Sequence, residues 1–521
     1  MEEKIETEVL IIGSGIAGGT AALKLADAGI KVVLVTRADN LYESNSYHAQ
    51  GGIIYKGLGE KDSAELENDI LEAGAGISNP RAVRIISDEG PRLIEDFLIG
   101  RIGVDFNQQA GELCRTKEGG HSIGRIIHRA DETGKAIESA LAKMIQRHPN
   151  IRVFTNVSAV DLLTPGHHSC DKKAVYEPLS CVGAYLLDQK TGFIIRCLAK
   201  QTILATGGLG QIYEFTTNPE GARGDGIAMA NRAGARIINL EFIQFHPTAF
   251  CYPGAPRFLI TEAARGEGAK LVDAAGKPFM QKYDKRGDLA TRDIVARSIY
   301  RQMLETGAAN VYLDLRSYIP AGKIMERFPM IRERLLCYGI DIVKDLVPVV
   351  PAAHYSCGGV YASVESGETT INDLYAVGEV ACNGLHGANR LASASLLEGL
   401  VWGNRAYLAI MDRIGKVGAY REDINPWQGV VDQEADLPLV AQDLRMIRSI
   451  MWNCVGLERT ASRLIRARTD LGYIERSIDR FYQSSKLSDA LLGLRNIART
   501  AILVAEAAWE NKQSAGCHYR R

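Results

Sequence analysis

Val9-Leu10-Ile11-Ile12-Gly13-Ser14-Gly15-Ile16-Ala17-Gly18 is the stretch from which the fold is read. Four apolar residues predict a buried strand, and the GxGxxG turn after it leads into a helix that Gly29 ends. Lys31-Val32-Val33-Leu34-Val35 is then a second buried strand. This β-α-β order implies a parallel sheet with covering helices. The glycines differ in purpose. Gly13 makes the tight turn, Gly15 lets backbone approach a pyrophosphate, and Gly18 lets helix and strand pack closely. The helix start then offers free N–H groups to phosphate.

Three further glycine-rich strings follow in order. They are Gln50-Gly51-Gly52, Ala205-Thr206-Gly207-Gly208 and Leu374-Tyr375-Ala376-Val377-Gly378-Glu379. Together with the first they outline a site for a flavin dinucleotide. An NAD site would carry an acidic residue at the end of the second strand to hold a ribose hydroxyl. Thr36 stands there, followed by Arg37, which disfavours NAD. Threonine or main chain would serve FAD, and the distal Glu379 suits a ribityl chain.

At 521 residues the chain exceeds one ordinary core, so two or three domains are expected. The 61 basic and 62 acidic residues nearly cancel, which announces no face for nucleic acid or an anionic membrane. The acidic start Met1-Glu2-Glu3-Lys4 and the short apolar run after it predict no secretion signal, and no segment approaches a membrane span. Ten cysteines occur without a CxxC pair or metal spacing. Free thiols, no metal and a cytoplasmic location are therefore expected.

Residues 61–100 and 132–147 read as helical, and 151–204 as an antiparallel meander that includes Val153-Phe154. The polar stretch around His167-His168 reads as a solvated loop rather than a metal site. Residues 1–239 and 355–420 are expected to form the dinucleotide-binding domain, with an α+β capping domain inserted at 240–354. Residues 421–521 read as a helical bundle. The polar run Gln513-Ser514-Ala515-Gly516-Cys517-His518 reads as a disordered tail. No coiled coil stands out, so a monomer or weak oligomer is expected.

Longer strings carry a family resemblance. They are Ala49-Gln50-Gly51-Gly52-Ile53, Asn218-Pro219 leading to Gly224-Asp225-Gly226, and Glu241-Phe242-Ile243-Gln244-Phe245-His246-Pro247-Thr248. Thr261-Glu262-Ala263-Ala264-Arg265-Gly266-Glu267-Gly268, Thr291-Arg292-Asp293-Ile294-Val295-Ala296-Arg297, His354-Tyr355-Ser356-Cys357-Gly358-Gly359 and Gly384-Leu385-His386-Gly387-Ala388-Asn389-Arg390 continue them. In these the chain resembles the flavoproteins of succinate dehydrogenase and fumarate reductase, a family that includes the L-aspartate oxidases. The resemblance runs over nearly the whole chain. It implies an FAD-binding Rossmann-like α/β domain with an inserted α+β cap and a C-terminal helical bundle.

Two features favour the aspartate oxidase branch. Respiratory members bond FAD covalently to a histidine five residues before the QGG glutamine, where Asn45 stands here, so noncovalent FAD is expected. His48 lies at the wrong place. Glu118, in Glu118-Gly119-Gly120-His121-Ser122, offers an anion to an α-ammonium that succinate lacks.

The resemblance implies Arg292, Glu118, His246, Thr261, His354 and Arg390 as the catalytic set, with Arg292 handling a proton or orienting substrate. Arg297 reads as structural, and His386 as a brace for the loop of Arg390. The cofactor residues expected are Gly13, Ser14, Gly15, Ala17, Gly18, Arg37, Ser44, Asn45, Gln50, Gly51, Gly52, Ala205, Thr206, Gly207, Asp225, Glu379, Arg390, Ser395 and Leu396. The activity so implied is oxidation of L-aspartate to iminoaspartate by hydride transfer to flavin N5, with oxygen or fumarate reoxidising FAD. Quinolinate synthase would consume the product on the way to NAD. The alternative is a fumarate reductase or succinate dehydrogenase flavoprotein, which would need a partner iron–sulfur subunit or, in a soluble form, a fused haem domain. An NAD-dependent dehydrogenase and a non-catalytic flavin-binding protein are disfavoured, the latter by the assembled arginines and histidines.

Overall fold

The computed structural model describes residues 4–59, 62–416, 418–429 and 433–521. Residue 61, where the first helical stretch is expected to begin, and Met1 to Glu3 lie outside them. The strand Lys4–Ile12 runs parallel to Val32–Val35 on one side and to Ile194–Leu204 on the other. Its side chains alternate between two cores, as a strand buried on both faces requires. Val9 and Ile11 face the helices Ile16–Asp27, Thr133–Arg147 and Ala394–Arg413. Leu10 and Ile12 face a second core shared with the C-terminal helices.

One expectation is corrected in this sheet. Ile151–Phe154 is not part of a meander; it lies parallel beside Val32–Val35, at the outer edge. The strand starts at Ile151, separated by three residues from the helix Thr133–Arg147, so it closes a second β-α-β connection. The antiparallel part is Val157–Leu162, Gly183–Asp188 and the first half of Ile194–Leu204. The end of that last strand pairs in parallel with Leu374–Ala376, which brings the distal glycine signature beside the first.

A second sheet is antiparallel, in the order Ile243–Phe250, Val347–Ser356, Val311–Asp314, Lys270–Val272. It packs with the helix Arg292–Thr306 around Phe250, Leu271, Val295, Leu313 and Val349. The two long strands belong to both layers. Ile243, Phe245 and Ala353 at their inner ends sit in the core of the first sheet, whereas Phe250, Val347 and Val349 sit in the other. Residue 354 lies within this ribbon and residue 240 just before its first strand.

The helices Leu437–Val455, Ala461–Ser484 and Asp489–Glu510 pack together and onto the first sheet through Ile447, Leu464, Leu494 and Val504. The segment after them is no free tail. Cys517 and His518 are buried, and His518 Nδ1 lies 2.6 Å from the Arg459 guanidinium. Its polar composition misleads because Cys517 and His518 find buried partners in Asn389 and Arg459. His167 and His168 lie on the short turn Pro165–His168, and both bond to Thr164. Among the described residues no helix is long and apolar enough to cross a membrane, and no group of His, Cys, Asp and Glu is arranged to hold a metal ion.

Candidate active site

One cleft runs from the first glycine turn to the base of the second sheet. All the expected site residues line it except Gly18. Gly18 is instead a packing residue, since a Cβ there would collide with the Gly13 carbonyl.

The dinucleotide end is built from backbone. Gly13 is held at φ 114°, and a Cβ on it would strike the Ala205 carbonyl. Gly207 lies at φ 72°, and a Cβ on Gly208 would overlap the Glu379 carboxylate. Gly15 precedes the helix Ile16–Asp27 without a side-chain cap; the Ile16 N–H donates to Ser46 Oγ at 3.3 Å, and Gly15, Ile16 and Ala17 line the cleft. Gln50 Oε1 and Thr206 Oγ1 are buried without protein partners. Unpaired buried polar atoms around a glycine cradle match the polar atoms of a dinucleotide. These residues fit FAD.

Asn45 donates to Glu379 Oε2 at 2.8 Å, and the Ser356 N–H donates to Glu379 Oε1 at 3.0 Å. Burial still pushes Glu379 up to about 7. Asp225 lines the cleft, but its carboxylate is taken by Arg223 at 2.9 Å and Asn496 at 2.8 Å. Arg37 pairs with Asp489 of the last helix at 3.3 Å. Ser44 accepts from the Tyr47 N–H at 3.1 Å, and Ser14 donates to the Leu41 carbonyl at 3.1 Å. Ser395 and Leu396 open the helix Ala394–Arg413, whose preceding residue, Ser393, adopts the left-handed φ of 57°. Behind the first turn, beside Ser46, the buried Glu138 is pushed up to about 8 by desolvation.

The other end of the cleft gathers cations. Arg292, at the start of its helix, donates to Glu262 at 2.5 Å and to Gln244 Oε1 at 3.1 Å. Arg390 donates to the same Gln244 oxygen at 3.2 Å and to Ser395 at 3.3 Å, and stands 4.4 Å over the Tyr355 ring. Arg390 Nε has no protein partner. Arg265 completes the row, 3.1 Å from Glu262. Glu262 carries full burial, yet Arg292 and Arg265 hold it down at about 2. Burial pulls Arg265 and Arg390 below the ordinary arginine value.

His246 and His354 come from the two long strands, their rings 5.2 Å apart. Burial first, then the nearby arginines, hold both well below the ordinary imidazole value, so both are neutral. The Thr248 N–H donates to His246 Nδ1 at 3.2 Å. The ring proton therefore sits on Nε2, which is buried and without a protein partner. His354 Nδ1 bonds Thr217 at 2.9 Å. Thr261 is buried on the same wall. Glu118 accepts from Ser393 Oγ at 2.7 Å; burial raises it, Glu262 adds to the rise, and Arg292 opposes it. His386 lies off the cleft, bonded to Glu398 at 3.0 Å and to Tyr355 at 3.3 Å, as a brace.

Sequence reasoning misses Glu262, Gln244 and Arg265 as members of this end. All three lie in strings that carry the resemblance. The signal is an acid directly beside Thr261, in a chain that also has to bury two arginines.

Comparisons with known proteins agree with this geometry. The sequence model of the FAD-binding domain family matches residues 8–396. Among solved structures, the FrdA chain of an E. coli quinol fumarate reductase variant superposes with a TM-score of 0.89. It is 26% identical, with 100% of this chain and 92% of that chain covered. Sdh1 of Mycobacterium smegmatis superposes with a TM-score of 0.83 at 27% identity, covering 100% and 89%. The fold and the cleft thus define an FAD-dependent oxidoreductase. Among curated proteins, L-aspartate oxidase of Yersinia pestis is 42% identical over 98% of this chain and 95% of its own length. L-aspartate oxidase 1 of Ralstonia nicotianae is 45% identical over 99% and 95%. The chain belongs to the L-aspartate oxidase family.

Proposed function

We propose that the chain oxidises L-aspartate to iminoaspartate, with oxygen or fumarate as the final electron acceptor. The observation that carries this reading is the pairing of opposite charges in one cleft. Arg292 and Arg390 share Gln244 where two carboxylates would sit, and Glu118 stands on the same wall where an α-ammonium would need an anion. FAD, when bound, supplies the two-electron acceptor. Gln50, Gly51, Asn45 and Glu379 would hold it, and the Asn45 carboxamide has no nucleophilic ring nitrogen for a covalent link.

The protein's part is binding, orientation and proton placement. The free Nε of Arg390, the His246 Nε2–H and the Thr261 hydroxyl are donors for substrate carboxylate oxygens. Neutral histidines donate without adding charge beside the arginines. An ionised substrate ammonium near Glu118 restores that acid to its carboxylate form. The row Arg292–Glu262–Arg265 leads from the cleft into the cap, and it is the path by which a proton would leave or enter. The same cations would seat fumarate as acceptor. The second layer then serves as a lid whose closing excludes water. Two structures with and without a dicarboxylate and an unchanged angle between the layers would remove that part of the reading.

The first test is anaerobic mixing of the FAD-loaded protein with L-aspartate and, separately, with succinate. Bleaching of the flavin by aspartate alone supports the reading; bleaching by succinate alone moves the chain to the respiratory dicarboxylate branch. A quinolinate synthase would consume the product in the first stage of NAD biosynthesis, in the cytoplasm. A coupled assay that yields no quinolinate from aspartate would count against that placement.

A further inference from the structure

The segment after the last helix folds back onto the loop that carries Arg390. Gly516 lies at φ 48°, and a Cβ there would strike the Ala388 carbonyl and side chain. The Cys517 N–H donates to the Ala388 carbonyl at 3.0 Å. The Cys517 thiol, 6% exposed, donates to Asn389 Oδ1 at 3.2 Å. On the other side, the Gly516 carbonyl accepts from Arg297 at 3.0 Å, one turn beyond Arg292 on the same helix. Tyr519 lies under the guanidinium groups of Arg297 and Arg301, at 5.1 and 5.4 Å. The segment therefore ties the helix of Arg292 to the loop of Arg390, yet it lines no part of the cleft.

The connection continues through side chains. Asn389 Oδ1 also accepts from Gln244 Nε2 at 2.7 Å, and Gln244 Oε1 accepts from both Arg292 and Arg390. Gln244 is fully buried, and its NH2 group also donates to the Arg390 carbonyl at 2.8 Å, so its orientation is set by Asn389, that carbonyl and the two arginines. A flipped amide would aim its NH2 group at two cations, which electrostatics forbids. Asn389 Oδ1 is one of the two acceptors that hold the Gln244 NH2 group, and the Cys517 thiol is the second donor that keeps this oxygen in place. Burial keeps the thiol protonated, hence a donor.

We infer that Cys517 and its segment are positioning elements of the substrate site. Through Asn389 and Gln244 they fix the separation of Arg292 and Arg390, and with it the fit of a four-carbon dicarboxylate. This rests on the reading of those arginines as carboxylate ligands.

The test uses FAD-loaded protein in three forms: Cys517→Ala, Cys517→Ser and a chain stopped after Gln513. Each is titrated calorimetrically with succinate and assayed with L-aspartate. Cys517→Ala is expected to raise the succinate Kd and the aspartate KM about fivefold, with kcat near wild type, as loss of one neutral hydrogen bond implies. Cys517→Ser recovers most of the loss. The shortened chain keeps its flavin and loses about tenfold or more in kcat/KM. Wild-type constants in Cys517→Ala would overturn the inference, as would a serine variant no better than alanine. A wild type that takes up neither succinate nor aspartate overturns the functional reading and this inference with it.

Discussion

Arg292 Nε and Glu262 Oε2 lie 2.5 Å apart, and neither side chain is more than about a tenth exposed. The acid is held at about 2 by that cation and by Arg265 behind it, so it stays a carboxylate through the physiological range. This buried pair, rather than either residue alone, marks the end of the cleft proposed to receive the substrate.

Arg292→Leu removes the cation that reaches both Glu262 and Gln244. Aspartate-dependent flavin bleaching is expected to slow by about 10²- to 10⁴-fold with FAD content unchanged. Arg292→Lys should not restore it, because a single ammonium cannot reproduce the two-pronged contact. Rates near wild type in either variant would remove Arg292 from the chemistry.

Glu262→Gln should cost fold stability as well as rate. Arg292 and Arg265 would then face each other without a carboxylate, a loss of roughly 3–5 kcal/mol for a broken buried pair. Denaturant midpoints of the flavin-free variant check the first effect, and anaerobic reduction by aspartate the second.

Glu118→Gln tests selectivity. The charge-assisted contact to an α-ammonium is lost while the arginines remain. Aspartate should lose roughly 10- to 100-fold in kcat/KM while succinate binds as well or better. Equal losses for both ligands would leave Glu118 a role in loop structure only, through Ser393.

Gly208→Ala should empty the cofactor site. The added methyl meets the Glu379 carboxylate, which Asn45 and Ser356 hold in place. The purified variant is expected to be pale, with at least tenfold weaker FAD binding by absorbance titration, about 1.4 kcal/mol or more.

Glu138 gives a pH test. Its folded value of about 8 lies above the ordinary 4.5, so the protonated group's contribution is complete below about 4.5 and is lost as pH rises through about 8. Glu138→Gln cannot ionise. Its stability relative to wild type should climb between those limits, with a slope of at most about 1.4 kcal/mol per pH unit. Denaturation of the flavin-free proteins at pH 5, 7 and 9 measures this; a flat difference would mean that the acid titrates at its ordinary value.

Much of this is legible in the sequence because glycine patterns report backbone demands directly. The turn at Gly13, the string at Ala205 and the distal Gly378-Glu379 converge on one cleft, and the strand at Leu374 lies beside the strand that ends at Leu204. What the chain hides are contacts between segments far apart in sequence. Glu262 gains its meaning from Arg292, 30 residues on, and Gln244 from Arg390, 146 residues on. The edge strand Ile151–Phe154 escapes a sequence reading because a short β-rich run has the same pattern beside a parallel or an antiparallel neighbour. The run at 513–518 looks like a solvated end because composition cannot show that Arg459 and Asn389 are waiting for its polar groups.

The ribbon of Ile243–Phe250 and Val347–Ser356 is rooted in one core and capped by another, and it carries His246 and His354 on its length. Tilting the upper layer must twist this ribbon, as a torsion bar twists between its two anchors. The imidazoles ride on the bar itself, so their spacing is a gauge of that twist. Were the upper layer to close as proposed, recognition of the ligand and that movement would be one mechanical degree of freedom.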